Sequence, residues 1–136
     1  MNKLAKVMTE SAEVAVERPI VAVVDDDPAV CSSLKFSLEL EGFVVRVYGN
    51  GAELMHAGDL VGCDCFVVDQ RLPATSGLEL IAKLRDQNIS VPAILITSQP
   101  NAALKARAAV AGIPIVEKPL LGNALVEQIR QACARR

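Results

Sequence analysis

Ile20-Val21-Ala22-Val23-Val24-Asp25-Asp26-Asp27-Pro28 is the stretch on which the fold turns. Five apolar residues, most of them β-branched, suit a short strand covered on both faces; a strand with one wet face would alternate. The run stops abruptly at three aspartates. Asp27-Pro28 then supplies a helix N-cap followed by proline at the first helical position, where a missing N–H costs nothing. A buried strand that passes through acids into a helix is the start of a β-α unit.

The same grammar repeats downstream. Val30, Leu34 and Leu38 recur every fourth residue, and Gly42 stops that helix. A second strand is expected over Phe43 to Val47, then a short helix opened by Asn50 and Glu53 and ending near Gly58. Cys65 to Val68 reads as the third strand, followed by a polar loop carrying Pro73. Ser76 with Glu79 opens a third helix striped by Leu80, Ile81 and Leu84. Ala93 to Thr97 is the fourth strand, and Pro100 starts an alanine-rich helix that stops at Gly112. Ile113 to Val116 is the fifth strand, placed at an edge because Pro114 cannot donate to a ladder. Leu121, Leu125 and Ile129 stripe the last helix. Five such units predict an α/β, doubly wound, five-stranded parallel sheet flanked by five helices, with the flavodoxin-like order 2-1-3-4-5. Upstream, residues 1–18 form an N-terminal extension, with Lys3, Lys6, Glu10, Glu13 and Glu17 around Leu4, Val7 and Met8. This pattern predicts only weak structure, and residues 19–136 form the domain.

Composition narrows the function classes. The chain has 136 residues, 51% hydrophobic but only 3% aromatic, so the core is aliphatic and there is room for one domain. A net charge of -2 argues against direct nucleic-acid binding. No apolar stretch reaches the roughly 20 residues of a membrane span, and no secretory signal precedes the first strand; a cytoplasmic protein is expected. Cys31 and Cys133 fall in helical segments, and Cys63 and Cys65 flank Asp64. With no second cysteine pair and a single histidine, His56, these read as structural thiols rather than metal ligands. His56, Arg107, Arg130, Arg135 and Arg136 read as surface residues.

The polar residues gather at strand ends. Asp25, Asp26 and Asp27 follow strand one, Asp69 ends strand three, Thr97 ends strand four, and Lys118 comes two residues after strand five. In an open parallel sheet these ends line the ligand crevice. Two carboxylates about 4 Å apart at an effective dielectric near 20 repel by roughly 4 kcal/mol, so a cation must join them. Oxygen-only ligands favour Mg2+ first and Mn2+ second, and Lys118 is a further cation. Such a site suits a phosphoryl group, with Thr97 donating a hydrogen bond. The nucleophile can be water, as in a hydrolase, or a carboxylate.

Val24-Asp25-Asp26-Asp27, Asp69-Gln70-Arg71-Leu72-Pro73 with Gly77, Ile96-Thr97-Ser98 and Glu117-Lys118-Pro119, in that order, resemble the receiver domain of two-component response regulators over about residues 19–134. The resemblance implies that Asp69 is the phosphoacceptor, served by a sensor histidine kinase or a phosphotransfer protein. It implies a divalent ion held by Asp26, Asp69 and the backbone carbonyl of Arg71, with Asp25 acting mostly through water. Thr97 and Lys118 would bind the phosphoryl oxygens, and Lys118-Pro119 matches a cis bond. Gly77 and Pro73 match the turn beyond the acceptor, and Asp27 reads as the helix cap. The implied protein is a signalling receiver, not an enzyme acting on an external substrate.

Two departures shape the expectation. Ile115 stands where receivers commonly carry an aromatic ring, so a rotating tyrosine or phenylalanine cannot report phosphorylation, and the response would involve Thr97 and the loop from Ser98 to Asn101. Only 17 residues follow Pro119, so a stand-alone receiver is expected, acting through a separate effector protein. The alanine-rich face of residues 102–109 offers a shallow docking surface for that partner; a homodimer is a separate expectation left open. The alternatives are a degenerate receiver serving as an interaction or dimerisation module, and an Mg2+-dependent phosphohydrolase. The hydrolase usually places another acid where Arg71 stands.

Overall fold

The computed structural model describes residues 18–135; the expectation of weak structure over residues 1–17, and Arg136, lie outside the described residues. Three apolar runs build the centre of the sheet. Strand β1 (Ile20–Val24), β3 (Cys65–Asp69) and β6 (Ala93–Thr97) are buried along almost their whole length, as strands covered on both faces must be. Strand β2 (Val44–Tyr48) pairs with the outer side of β1, and β7 (Ile115–Glu117) with the outer side of β6. All pairings are parallel, giving the order β2-β1-β3-β6-β7. That is the expected 2-1-3-4-5 order once the strands of the main sheet are counted alone.

Alternate residues of each strand serve opposite layers. Val21, Val23, Val67, Ile94 and Ile96 meet Leu34 and Leu38 of α1 (Pro28–Leu40) and Leu125 and Ile129 of α5 (Ala124–Ala134). Ala22, Val24, Phe66, Val68 and Leu95 meet Leu54 of α2 (Gly51–Met55), Leu80, Ile81 and Leu84 of α3 (Gly77–Asp86), and Leu104 and Ala108 of α4 (Ala102–Val110). Each fully buried aliphatic side chain contributes on the order of 1.5–3 kcal/mol, so both layers are needed to hold the sheet.

Capping follows the sequence closely. Asp27 accepts from the Ala29 N–H, with Pro28 at the first helical position. Ser76 and Glu79 form a complete capping box at α3. Asn50 caps α2 through the Glu53 N–H, and the Glu53 carboxylate reaches back to accept from the Gly49 N–H and from the Asn50 side-chain amide.

Several boundaries differ from expectation. The second strand begins at Val44, because Phe43 turns into the α1 and α5 layer, and the third runs on to Asp69. Helix α2 ends at Met55, before Gly58. Helix α4 is capped by Asn101, one residue after Pro100. The loop carrying Pro73 holds a small antiparallel pair, β4 (Arg71–Leu72) and β5 (Thr75–Ser76), turned by Ala74 at φ 67°. Strand β7 excludes Ile113 and Pro114, although the Pro114 carbonyl accepts from Leu95 and so prepares the pairing. Lys118 therefore comes immediately after the strand. Leu121 is 79% exposed; Gly122, at φ 78°, breaks the path into α5, so the stripe starts at Leu125.

Candidate functional site

The carboxyl ends of β1, β3, β6 and β7 lie side by side, and together they deliver Asp25 and Asp26, Asp69, Thr97 and Lys118 to the rim. Asp25 and Asp69 follow strands that are direct neighbours, in register from Val21 with Cys65 to Val24 with Val68. One carboxylate oxygen from each of Asp25, Asp26 and Asp69 falls within 4.8 Å of the others. Asp25 is 1% exposed and Asp69 6%, while Asp26 faces solvent. The expected cluster of carboxylates therefore forms.

Asp25 is held from several directions. Its N–H donates to the Tyr48 carbonyl, and its Oδ1 accepts from the Asp27 N–H at 3.0 Å. The Cys31 thiol donates to its carbonyl oxygen at 3.1 Å. Lys118 enters from the far end of the sheet. Its N–H donates to the Thr97 carbonyl at 2.8 Å, fixing the chain before the cis Lys118-Pro119 bond. Its Nζ then lies 3.0 Å from Asp25 Oδ2 and 3.2 Å from Asp69 Oδ1. Thr97 is buried at the same rim, and its Oγ1 accepts from the Gln99 N–H at 3.2 Å, which leaves the hydroxyl proton to donate.

The electrostatics follow from this packing. Burial pushes the Asp69 carboxyl above its ordinary range and the Asp25 charge adds to that, against the opposing pull of Lys118. Burial alone would lower Lys118, but its hydrogen bond to Asp25 and the charges of Asp69 and Asp25 outweigh it, so the amine sits above its ordinary value. Three acids with one ammonium remain short of positive charge. The all-oxygen donor set suits a hard divalent cation; receiver domains generally bind Mg2+ in such an acidic pocket, and these residues fit one. The Arg71 side chain reaches Gln99 at 3.4 Å, and the cation paired with the carboxylates is Lys118.

Residue patterns do not display the closeness of α3 to this rim. A Cβ on Gly77 would collide with the Asp69 carbonyl oxygen and lie 2.8 Å from Leu95 Cδ1, so only glycine fits there. Gly77 and Leu78 donate to the Gln70 backbone and side chain respectively. The glycine at a helix start was the available signal; the Gln70 side-chain bond, which bridges eight residues, had none.

The residues outside the cluster separate clearly. Asp27 spends its side chain on the α1 cap. His56 is exposed at the end of α2, with Nδ1 on the Ala52 carbonyl. No disulfide forms among the described cysteines; Cys31, Cys63 and Cys65 are buried, and burial pushes Cys65 to about 12. Arg107 lines a polar hollow with Gln70, Arg71, Thr97 and Gln99 beside the rim. Arg130 is exposed as expected; there it pairs with Glu41 at 2.8 Å and lies over the Phe43 ring at 5.4 Å. Arg135 donates to the Gln131 carbonyl.

Comparison with known proteins agrees with this geometry. The response regulator receiver domain family matches residues 21–130, and the chain belongs to that family, a signalling module. It is 33% identical over 113 residues to the transcriptional regulatory protein FixJ of Rhizobium meliloti (strain 1021), covering 82% of this chain and 55% of that protein. It is 31% identical over 111 residues to the transcriptional regulatory protein TrcR of Mycobacterium tuberculosis, covering 81% and 43%. The chain thus spans about half the length of the curated relatives it matches. Among solved structures, FixJ-N superposes with a TM-score of 0.77 at 29% identity, covering 88% of this chain and 97% of that one. The receiver domain of the Francisella response regulator 1452 does so with 0.77 at 26%, covering 87% and 98%. Described residues include no helix long and apolar enough to cross a membrane.

Proposed function

We propose that this chain is a phosphoacceptor: residues 19–136 take a phosphoryl group on Asp69 from a sensor histidine kinase or a phosphotransfer protein in the cytoplasm, and signal through a separate effector. One observation carries the reading. The Asp69 carboxylate is buried at the end of a central strand, with Asp25 and Asp26 in ligating reach and Lys118 at 3.2 Å.

Asp25, Asp26, Asp69 and the backbone carbonyl of Arg71 would hold Mg2+, or Mn2+ by the same oxygen preference. When bound, the ion supplies the positive charge that a phosphoryl group's oxygens need. An Asp69 carboxylate oxygen forms the new bond to phosphorus while the bond from phosphorus to the donor breaks, and the donor atom keeps the electron pair. Lys118 is placed to transfer its hydrogen bonds from the carboxylates to phosphoryl oxygen, and the Thr97 proton is free to follow. Because Gln99 donates to the Thr97 hydroxyl, motion of Thr97 pulls directly on the loop from Ser98 to Asn101. Ile115 is half-buried against the α2, α3 and α4 layer and has no polar tip, so that loop, rather than a rotating ring, carries the response.

The test is hydroxylamine-labile labelling with acetyl phosphate and Mg2+, alongside formation of a beryllofluoride complex. Wild type is expected to label and Asp69→Asn to stay unlabelled. Equal labelling of both would overturn the assignment. Asp26→Asn should lose Mg2+ binding in a calorimetric titration, and unchanged affinity would remove Asp26 from the ligand set.

A further inference from the structure

Gln70 follows Asp69 and is held by three hydrogen bonds, one to β6 and two that join it to α3. Its N–H donates to the Ile96 carbonyl at 2.9 Å, which keeps β3 tied to β6 one residue past Asp69. Its carbonyl accepts from Gly77 at 2.9 Å, and its Oε1 accepts from Leu78 at 3.0 Å. A helix begins with N–H groups that have no partner inside the helix. In α3 the first two are taken by Gln70 and the third, from Glu79, by Ser76. Between these anchors runs the loop of residues 71–76, whose first carbonyl belongs to Arg71.

The loop has little slack. The Gly77 backbone packs so closely on the Asp69 carbonyl that no Cβ fits between them, and β4 pairs with β5 across the turn at Ala74. A shift of α3 therefore moves the peptide between Asp69 and Arg71. The Gln70 side chain is half-buried and directed at the helix, not at a carboxylate.

We propose that Gln70 is a positioning residue for the divalent-cation site, holding the loop so that the Asp69 carboxylate and the Arg71 carbonyl face the ion together. The inference rests on the phosphoacceptor reading above. Groups that orient metal ligands commonly change affinity by about 10–100-fold when removed.

The experiment is a Mg2+ titration by calorimetry on the full chain, with Gln70→Met, Gln70→Glu and Ser76→Ala beside wild type. Gln70→Met, similar in length but without a good acceptor, is expected to raise the Mg2+ Kd about tenfold. Its labelling by acetyl phosphate should need more Mg2+ yet reach the wild-type rate at saturation. Gln70→Glu keeps an acceptor of the same reach and should restore affinity in salt high enough to screen its added charge. Ser76→Ala weakens the same helix end through a different bond and should leave the Mg2+ Kd unchanged. If Gln70→Met does not fold, Gln70→Ser, too short to reach Leu78, replaces it with the same expected result. An unaltered Kd in the Met or Ser variant overturns the inference, as does equal loss in Ser76→Ala. Wild type that fails to bind Mg2+ overturns the phosphoacceptor reading itself, a result distinct from either.

Discussion

Strands β3 and β7 are both apolar and end at the same rim, yet they support opposite kinds of residue there. Strand β3 is central and all five of its residues are buried. Strand β7 is an edge, and only Val116 is buried. At the end of β3, the surroundings make the Asp69 charge costly, so any group that neutralises or esterifies it gains accordingly. At the start of β7, Ile115 loses little by being half-exposed and has no polar atom with which to register a change. The contrast teaches that the proposed chemistry falls where burial makes a charge costly, and that the edge brings the Lys118 ammonium to it.

The strongest way to break this contrast is Asp69→Asn, which should abolish labelling. In Mg2+-free buffer the same variant should melt higher than wild type at neutral pH. The folded Asp69 pKa is raised, so the ionised form is disfavoured on folding above that value, a cost the amide lacks. The advantage should shrink as the pH falls toward the unfolded carboxyl value, where Asp69 is protonated in both states. A Tm difference that grows on acidification would contradict this sign.

Next in size is Lys118→Met, which removes the ammonium shared by Asp25 and Asp69. Urea unfolding without Mg2+ should show a loss of about 3 kcal/mol, the scale for a buried pair deprived of one partner. Added Mg2+ should recover more stability in the variant than in wild type. Gly77→Ala should cost about 2 kcal/mol by overpacking against the Asp69 carbonyl, and should slow labelling because the backbone of Asp69 must move. Smallest is Ile115→Ala, expected to cost about 1 kcal/mol for a half-buried aliphatic group and to leave labelling by acetyl phosphate unchanged. A large labelling defect there would remove the distinction between centre and edge.

The sequence made the central strands legible because each is an unbroken apolar run that gives way to a polar residue at its carboxyl end. Asp25, Asp69 and Thr97 could be placed at the rim for that reason, and Lys118 by its motif. The edge was harder to read. Ile113, Pro114, Ile115 and Val116 are uniformly apolar, so nothing in the run marks where pairing to β6 begins. Leu121 keeps the spacing of the Leu125 and Ile129 stripe, but Gly122 at φ 78° takes it out of the helix. The two-residue strands β4 and β5 are too short for any period to register. Contacts such as Cys31 on the Asp25 carbonyl and Gln70 on Leu78 depend on how elements meet, which no local pattern records.

A strand sealed on both sides cannot yield when its terminal residue changes. Whatever Asp69 undergoes, displacement is confined to what stands above the sheet: the 98–101 loop, the start of α3 and the Lys118 turn. Amide hydrogens within β3 should therefore exchange equally slowly before and after modification, with altered protection restricted to those overlying segments.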